Sequence, residues 1–164
     1  MTNYICINGN KTELTEEQLK QLGIELPKVT PFTRSKKNKK YFSIMQDGKV
    51  DWHYENADPF DERCFDVANY CTDKAMMEQR ALHETLNRLL WRYSMEHDGD
   101  KIDLVCVSQT KWYIYYDTRF KEWNSGMSYS TIGLDMYFHT EEAANNAIKE
   151  IIKPFMKAHP EFKF

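Results

Sequence analysis

Glycine is scarce in this chain, at 6 of 164 residues, and neither G-x-x-x-x-G-K-[ST] nor G-x-G-x-x-G occurs. A backbone that cradles phosphate needs glycine where it approaches the anion, so phosphate-loop NTPases and dinucleotide enzymes are disfavoured. There is no G-x-S-x-G elbow, and no cysteine has a neighbouring histidine in sequence to lower its pKa, which leaves nucleophilic catalysis without a nominee. The four cysteines, Cys6, Cys64, Cys71 and Cys106, form no C-x-x-C pair. A disulfide framework or zinc knuckle needs tighter spacing, so reduced thiols in a cytoplasmic protein are expected, with Cys71 and Cys106 as small core residues. No apolar run is long enough for a transmembrane helix, and Met1-Thr2-Asn3 does not open a signal peptide.

What the chain has in excess is aromatic: 10 Tyr, 9 Phe and 4 Trp. Hydrophobic residues make up 41% and charged residues 29%, the balance of an ordinary folded domain. The length suits one domain or two small ones, which hide about 70% of the unfolded chain's surface.

A net charge of −3 points to no partner, but its distribution is uneven. Lys28, Arg34, Lys36, Lys37, Lys39 and Lys40 give +6 between Glu25 and Asp47, and residues 47 to 66 carry −5. Charge runs of this kind are usually solvated surface.

The first 24 residues read as a unit. Tyr4 to Ile7 is a strand, Asn8-Gly9 a hairpin turn, and Lys11 to Leu14 a returning strand. Thr15-Glu16-Glu17-Gln18 has the form of a capping box, Leu19 and Leu22 give the helix an apolar face, and Gly23 ends it. Residues 25–40, with Pro27, Pro31 and the lysine cluster, have linker composition.

Residues 41–164 read as an α+β domain of small antiparallel sheets and packed helices, with a duplicated ββα unit over 41–98 and 101–160. Tyr41-Phe42-Ser43-Ile44-Met45-Gln46-Asp47 matches Lys111-Trp112-Tyr113-Ile114-Tyr115-Tyr116-Asp117. Asn69-Tyr70-Cys71-Thr72-Asp73 matches Tyr137-Phe138-His139-Thr140-Glu141. The interval from Ile44 to Thr72 is 28 positions, and that from Ile114 to Thr140 is 26. Thr72 and Thr140 are the expected helix caps, with acid following. The first helix, Asp73 to Glu96, should bury Ala75, Leu82, Leu86, Leu89, Leu90 and Tyr93. The second uses Ala143, Ala144, Ala147, Ile148, Ile151 and Ile152, until Pro154 kinks or ends it. Ile102 to Val107 reads as an additional strand.

Candidate chemistry is thin. His83 and Asn87 lie one turn apart beside Glu84, but a zinc site wants more ligands, and a surface face with an Arg80–Glu84 pair is the simpler reading. Asp98-Gly99-Asp100 with Asp103, and Asn56-Ala57-Asp58 with Asp61, resemble calcium loops only loosely, lacking the ligand order and terminal Glu. No metal or cofactor is expected. Exposed strand aromatics, Tyr113 and Trp123 among them, would suit an interface or a stacking platform.

The runs Asn69 to Lys74, Ala81 to Ser94 and Glu150 to Lys157, with Ile7-Asn8-Gly9 and Leu14 to Leu19, resemble a group of small uncharacterised proteins of phages, prophages and conjugative elements of Gram-positive bacteria. The resemblance supplies no catalytic residue. It implies an accessory gene product in a bacterial cytoplasm, and such products are often inhibitors of host defence, including anti-CRISPR proteins. The leading expectation is therefore a non-enzymatic inhibitor of a defence nuclease, plausibly a Cas effector. It would dock through Asp51, Trp52, Glu55, Asp58, Asp61, Glu62, Tyr113 and Trp123, whose carboxylates suit a basic channel. The alternative is a nucleic-acid-binding accessory protein that uses Lys36, Lys37, Lys39 and Lys40 with strand aromatics.

Overall fold

The computed structural model describes residues 4–7, 10–23, 28–130, 133 and 136–163. They fall into two units, Met1–Thr33 and Arg34–Phe164. In the first, β1 (Tyr4–Ile7) and β2 (Asn10–Glu13) pair antiparallel with Ile7 opposite Asn10. The predicted turn residues Asn8 and Gly9 lie outside the described residues, as does Ile24, the expected end of the element. Helix α1 (Glu16–Gln21) opens with the reciprocal cap expected of Thr15 and Gln18: the Gln18 amide donates to Thr15 Oγ1 at 3.3 Å, and the Thr15 amide donates to Gln18 Oε1 at 2.9 Å. Gly23 follows with φ +70°, a conformation that favours glycine at a helix end.

The second unit is organised on helix α3 (Lys74–Glu96). At 23 residues it is about 35 Å long, enough to serve two separate cores. Its first half packs Met77 and Ala81 against Ile44 and Cys71, with Phe42 and Val50 alongside. Its second half packs Leu86, Leu90 and Tyr93 against Phe138, Ala144, Ala147, Ile148 and Ile152. The apolar stripe is as predicted except at its start, where Ala75 is exposed and Met77 takes the buried position. Helix start differs too: the cap is the carboxylate of Asp73, which accepts from the Met76 amide at 3.0 Å, and not Thr72.

Hairpin β3 (Lys40–Ile44) and β4 (Val50–Tyr54) pairs Tyr41 with His53 and Ser43 with Asp51, and Phe42 bridges Cys71 on the other edge of β3. Between hairpin and bridge runs a helix the sequence reading did not contain, α2 (Pro59–Asp66). The three-stranded sheet has β5 (Lys111–Asp117) in the centre, flanked by β6 (Glu122–Ser128) and β7 (Tyr137–Phe138). Thr140 then caps α4 (Glu141–Ala147) as predicted, donated to by the Ala143 amide at 3.1 Å. Three small residues, Ala143, Ala144 and Ala147, are buried on α4 and let it lie close to its neighbours.

Residues Ile148–Ile152 continue as a π-helical segment into α5 (Lys153–Ala158). The Lys153 amide reaches back to the carbonyl of Ile148. Pro154 has no amide to offer the preceding turn, and the wider π spacing passes the helix through it instead of ending it.

The α+β class is therefore the observed one. Both halves place a hairpin beside a third antiparallel segment that leads into a helix. Duplication is not established by that: the bridge is Phe42 to Cys71 in one half and Trp112 to Phe138 in the other, one residue out of the sequence alignment. Among the described residues, nothing in the second half corresponds to α2.

The expected strand Ile102–Val107 is a loop. Asp103 Oδ1 accepts from the Val105 and Cys106 amides, and the Gln109 side chain spans Asp103 N and Lys101 O. These side-chain bonds take the backbone groups that a strand would offer to a ladder. Beneath them Lys111, with no exposed surface, donates from Nζ to the carbonyls of Cys106, Gln109 and Tyr129 at 2.6, 3.0 and 3.3 Å. Cys106 is accordingly half-buried in this loop and not a core residue, whereas Cys71 is buried as expected.

Two substitutions test this packing by urea unfolding. Phe138→Ala removes a fully buried ring at the centre of the larger core and should cost about 3–5 kcal/mol. Gly99→Ala should destabilise as well, because a Cβ there would lie 2.6 Å from the Ser94 carbonyl oxygen, a backbone atom that cannot step aside.

Candidate functional site: the two faces of the β3–β4 hairpin

Strand alternation sends Tyr41, Ser43, Asp51 and His53 to one face of the hairpin and Lys40, Phe42, Trp52 and Tyr54 to the other. The first face is closed by α2. Asp58, Pro59 and Asp61 start that helix as a capping box with proline at its first position. Asp61, 1% exposed, also accepts the Tyr41 hydroxyl at 2.6 Å and the Asn56 amide at 2.7 Å. The residues that resemble a calcium loop are therefore a helix cap, with their carboxylates already filled by amides and a phenol. Burial pushes the Asp61 pKa up, but the Tyr41 hydroxyl and the Asn56 and Asp58 amides outweigh it and hold the carboxyl below its ordinary value.

Glu55, 3% exposed, is the second buried acid. Arg34 grips it with a two-pronged contact, Nε to Oε2 and Nη2 to Oε1, both at 3.0 Å, and reaches Glu62 through Nη1 at 3.0 Å. The Tyr70 hydroxyl donates to Oε2 at 3.0 Å and the Ala57 amide to Oε1 at 2.9 Å. Hydrogen bonding to Arg34 holds the Glu55 carboxyl below the usual range, whereas burial raises the Tyr70 phenol. Tyr70 stacks on Tyr41 at 4.0 Å, tying the two acidic centres into one network.

The same network fixes the basic segment. Ser35 donates its amide to the Tyr70 hydroxyl at 2.9 Å. Asn38 takes a left-handed conformation, φ 63°, which asparagine tolerates, and its amide donates to the Glu55 carbonyl at 2.7 Å. The Glu55 amide returns a bond to the Lys39 carbonyl at 2.9 Å. Arg34 through Lys40 thus belongs to the folded second unit, where the sequence reading has a loose connector. Residues 25–27 of that predicted linker lie outside the described residues.

The other face packs Phe42, Ile44 and Val50 against α3, and at its uncovered end Lys40 Nζ stands 4.2 Å from the Trp52 ring centroid and 5.7 Å from that of Tyr54. The two rings meet edge to face at 5.3 Å, and each is close to half exposed, 49% for Trp52 and 47% for Tyr54. Lys36, Lys37 and Lys39 are all exposed on the adjoining turn. Asp51 lies on the far face, and its Oδ1 accepts from the Trp52 amide at 2.8 Å, which occupies one donor on the open edge of β4.

The remaining expected partner residues sit elsewhere. Tyr113 is half-buried, its ring lying over Gly126, where a Cβ would approach Tyr113 Cζ to 2.8 Å. Trp123 packs against the larger core and meets Tyr116 edge-on at 5.3 Å. His83 and Asn87 do share one side of α3, with Arg80 and Arg88 both paired to Glu84. Tyr54 was missed because alternation alone does not say how far α3 covers the hairpin.

Among the described residues, no group of three or more His, Cys, Asp or Glu is arranged to hold a metal ion. No described helix is long and apolar enough to cross a membrane. No family model, curated protein or solved structure matches the chain.

The buried acids make stability depend on pH. Both carboxyls have folded-state pKa values below their unfolded ones, so their contribution is full above about pH 5 and is lost as pH falls through the folded values. Tyr41 and Tyr70 are raised by burial, so a second loss begins as pH climbs past the ordinary phenol value of about 10. Thermal melts should show a plateau between these limits. Glu55→Gln should lower stability at pH 7 by on the order of 2 kcal/mol and flatten the acid limb. An unchanged acid limb would remove Glu55 from this role.

Proposed function

We propose that the second unit binds single-stranded nucleic acid through the Lys36–Lys40 turn and the end of the hairpin that α3 leaves uncovered, as an accessory protein. The observation that carries this reading is the placing of Lys40 over Trp52 and Tyr54, with three further exposed lysines on the same turn. Aromatic rings offer a stacking surface to any base, and the lysines supply the counter-charge for the phosphates between them. The turn is held in register with β4 by two backbone hydrogen bonds to Glu55, so cations and rings form one surface in advance of binding.

Inhibition of a defence nuclease, the function suggested by the mobile-element resemblance, has less support on this geometry. Of the carboxylates that would enter a basic channel, Glu55 and Asp61 are buried, Asp58 caps α2, and Glu62 is paired to Arg34. Trp52 and Asp51 stay exposed and suit either reading.

Electrophoretic mobility shifts with an oligothymidylate decide the matter. At low salt the protein should retard the oligonucleotide, with affinity falling on a log–log salt plot by roughly 0.7 per lysine engaged. Trp52→Ala and Tyr54→Ala should each weaken binding by roughly 5- to 150-fold, the equivalent of about 1–3 kcal/mol per stacked base. Absence of a shift even at low salt would overturn the proposal, and co-purification with Cas effectors would then be the next test.

A further inference from the structure

Strand β6 is a border of the three-stranded sheet: among the described residues its one ladder neighbour is β5. At seven residues it is as long as the central strand, and its pairing runs without a bulge from Lys111 opposite Ser128 to Asp117 opposite Glu122. A border of this kind presents a row of backbone amides and carbonyls, which proteins that stay monomeric blunt with lysine, proline or a bulge. From Trp123 to Ser128 the strand has no charged residue and no proline. Its length and register are those of an interior strand.

Large apolar side chains stand exposed at both ends of this border. Met127 is 53% exposed and Tyr129 48%, and Phe120, at the tip of the β5–β6 turn, is 68% exposed. The backbone that carries them is fixed. Asp117 Oδ1 accepts from the Arg119 and Phe120 amides at 2.8 and 3.3 Å, which sets the tip. At the other end the Tyr129 carbonyl accepts from Lys111 Nζ at 3.3 Å, and the Tyr129 hydroxyl lies 3.6 Å from Met127 Sδ.

We propose that β6 pairs antiparallel with β6 of a second copy of this chain, about a two-fold axis through Ser125, so that the two three-stranded sheets become one. The occupant is read from the strand's own pattern. A two-fold contact sets each side chain against its complement in the same strand, and the axis on Ser125 is the one that pairs all seven residues. It brings Trp123 opposite Met127, Asn124 opposite Gly126, and Glu122 opposite Ser128 of the second copy. Met127 gains a ring to pack on, and each remaining pair joins a larger side chain to a smaller one. Glu122, the strand's one charge, ends about 20 Å from its twin, so like charges do not meet. Continued past the strand, the same register lays the Phe120 turn of one copy beside Tyr129 of the other. The exposed apolar groups at one end of β6 thus cover those at the other, with no residue outside 120–129 required.

Sedimentation velocity of the full chain over a concentration series tests this. It should pass from one copy to two, and the β6 amides that do not face β5 should exchange with solvent at least tenfold more slowly at the high end of the series than at the low end. Met127→Lys places a lysine on the border at an exposed position and should weaken dimerisation at least tenfold, with the melting of the dilute protein unchanged. Phe120→Ala, in the exposed turn, reads the same contact independently should the first variant fail to fold, and should weaken it at least threefold. A chain that stays monomeric at millimolar concentration overturns the proposal. So does a dimer that both substitutions leave intact, or one in which the β6 amides gain no protection.

Discussion

The neutralisation of Glu55 is the interaction on which the hairpin's surface depends. A carboxylate this buried is costly unless its oxygens are answered, and here Arg34, Tyr70 and the Ala57 amide answer both. Arg34 and Ser35 are thereby tied down just before the lysine turn, while the Glu55 backbone ties the turn itself at Asn38 and Lys39. One acid that the sequence places in a supposedly interactive acidic segment instead organises the basic segment facing it. The two charge blocks do neutralise each other, but through a few geometrically exact-fitting contacts and not by general attraction.

Helix α3 provides the frame. Its first half supports the hairpin through Met77 and Ala81, and its second half supports the three-stranded sheet and α4 through Leu86, Leu90 and Tyr93. Coverage of the hairpin ends before Trp52 and Tyr54, which is why two large rings and Lys40 remain at the surface. Along the same helix, Gln79 and His83 bond the backbone of Glu161 and Lys163. A single amphipathic helix thus sets which parts of the second unit are core and which are presented.

Much of this was legible in the residues themselves. The 3.6-residue spacing of Leu82, Leu86, Leu89 and Leu90 announced α3, and Thr15 with Gln18 announced α1, because both patterns depend on neighbours within one turn. Helix α2 has a local signature of the same kind, a cap at Asp58 followed by Pro59 and Asp61, which the sequence reading of 41–98 leaves without a helix. The Ile102–Val107 run shows the opposite failure: its apolar character suggests a strand, yet Asp103 and Gln109 bind the backbone locally, and Leu104, Val105 and Val107 are exposed. At the candidate site, the exposure of Lys36, Lys37, Lys39 and Lys40 follows from their charge, whereas strand alternation leaves open which of Trp52, Tyr113, Tyr115 and Trp123 faces outward. Burial of Glu55 and Asp61, the covering of Gly126 by Tyr113, and the exposure of Tyr54 depend on contacts between distant segments, which no local pattern encodes.

The central claim is that cations and rings at the uncovered end of the hairpin act as one binding surface. Titrating the ¹⁵N-labelled protein with an oligothymidylate while following amide and indole resonances tests it most directly. The account predicts shifts concentrated at residues 36–40, the Trp52 indole and Tyr54, with α5 unaffected. Shifts confined to other surfaces, or none at low salt, would contradict it.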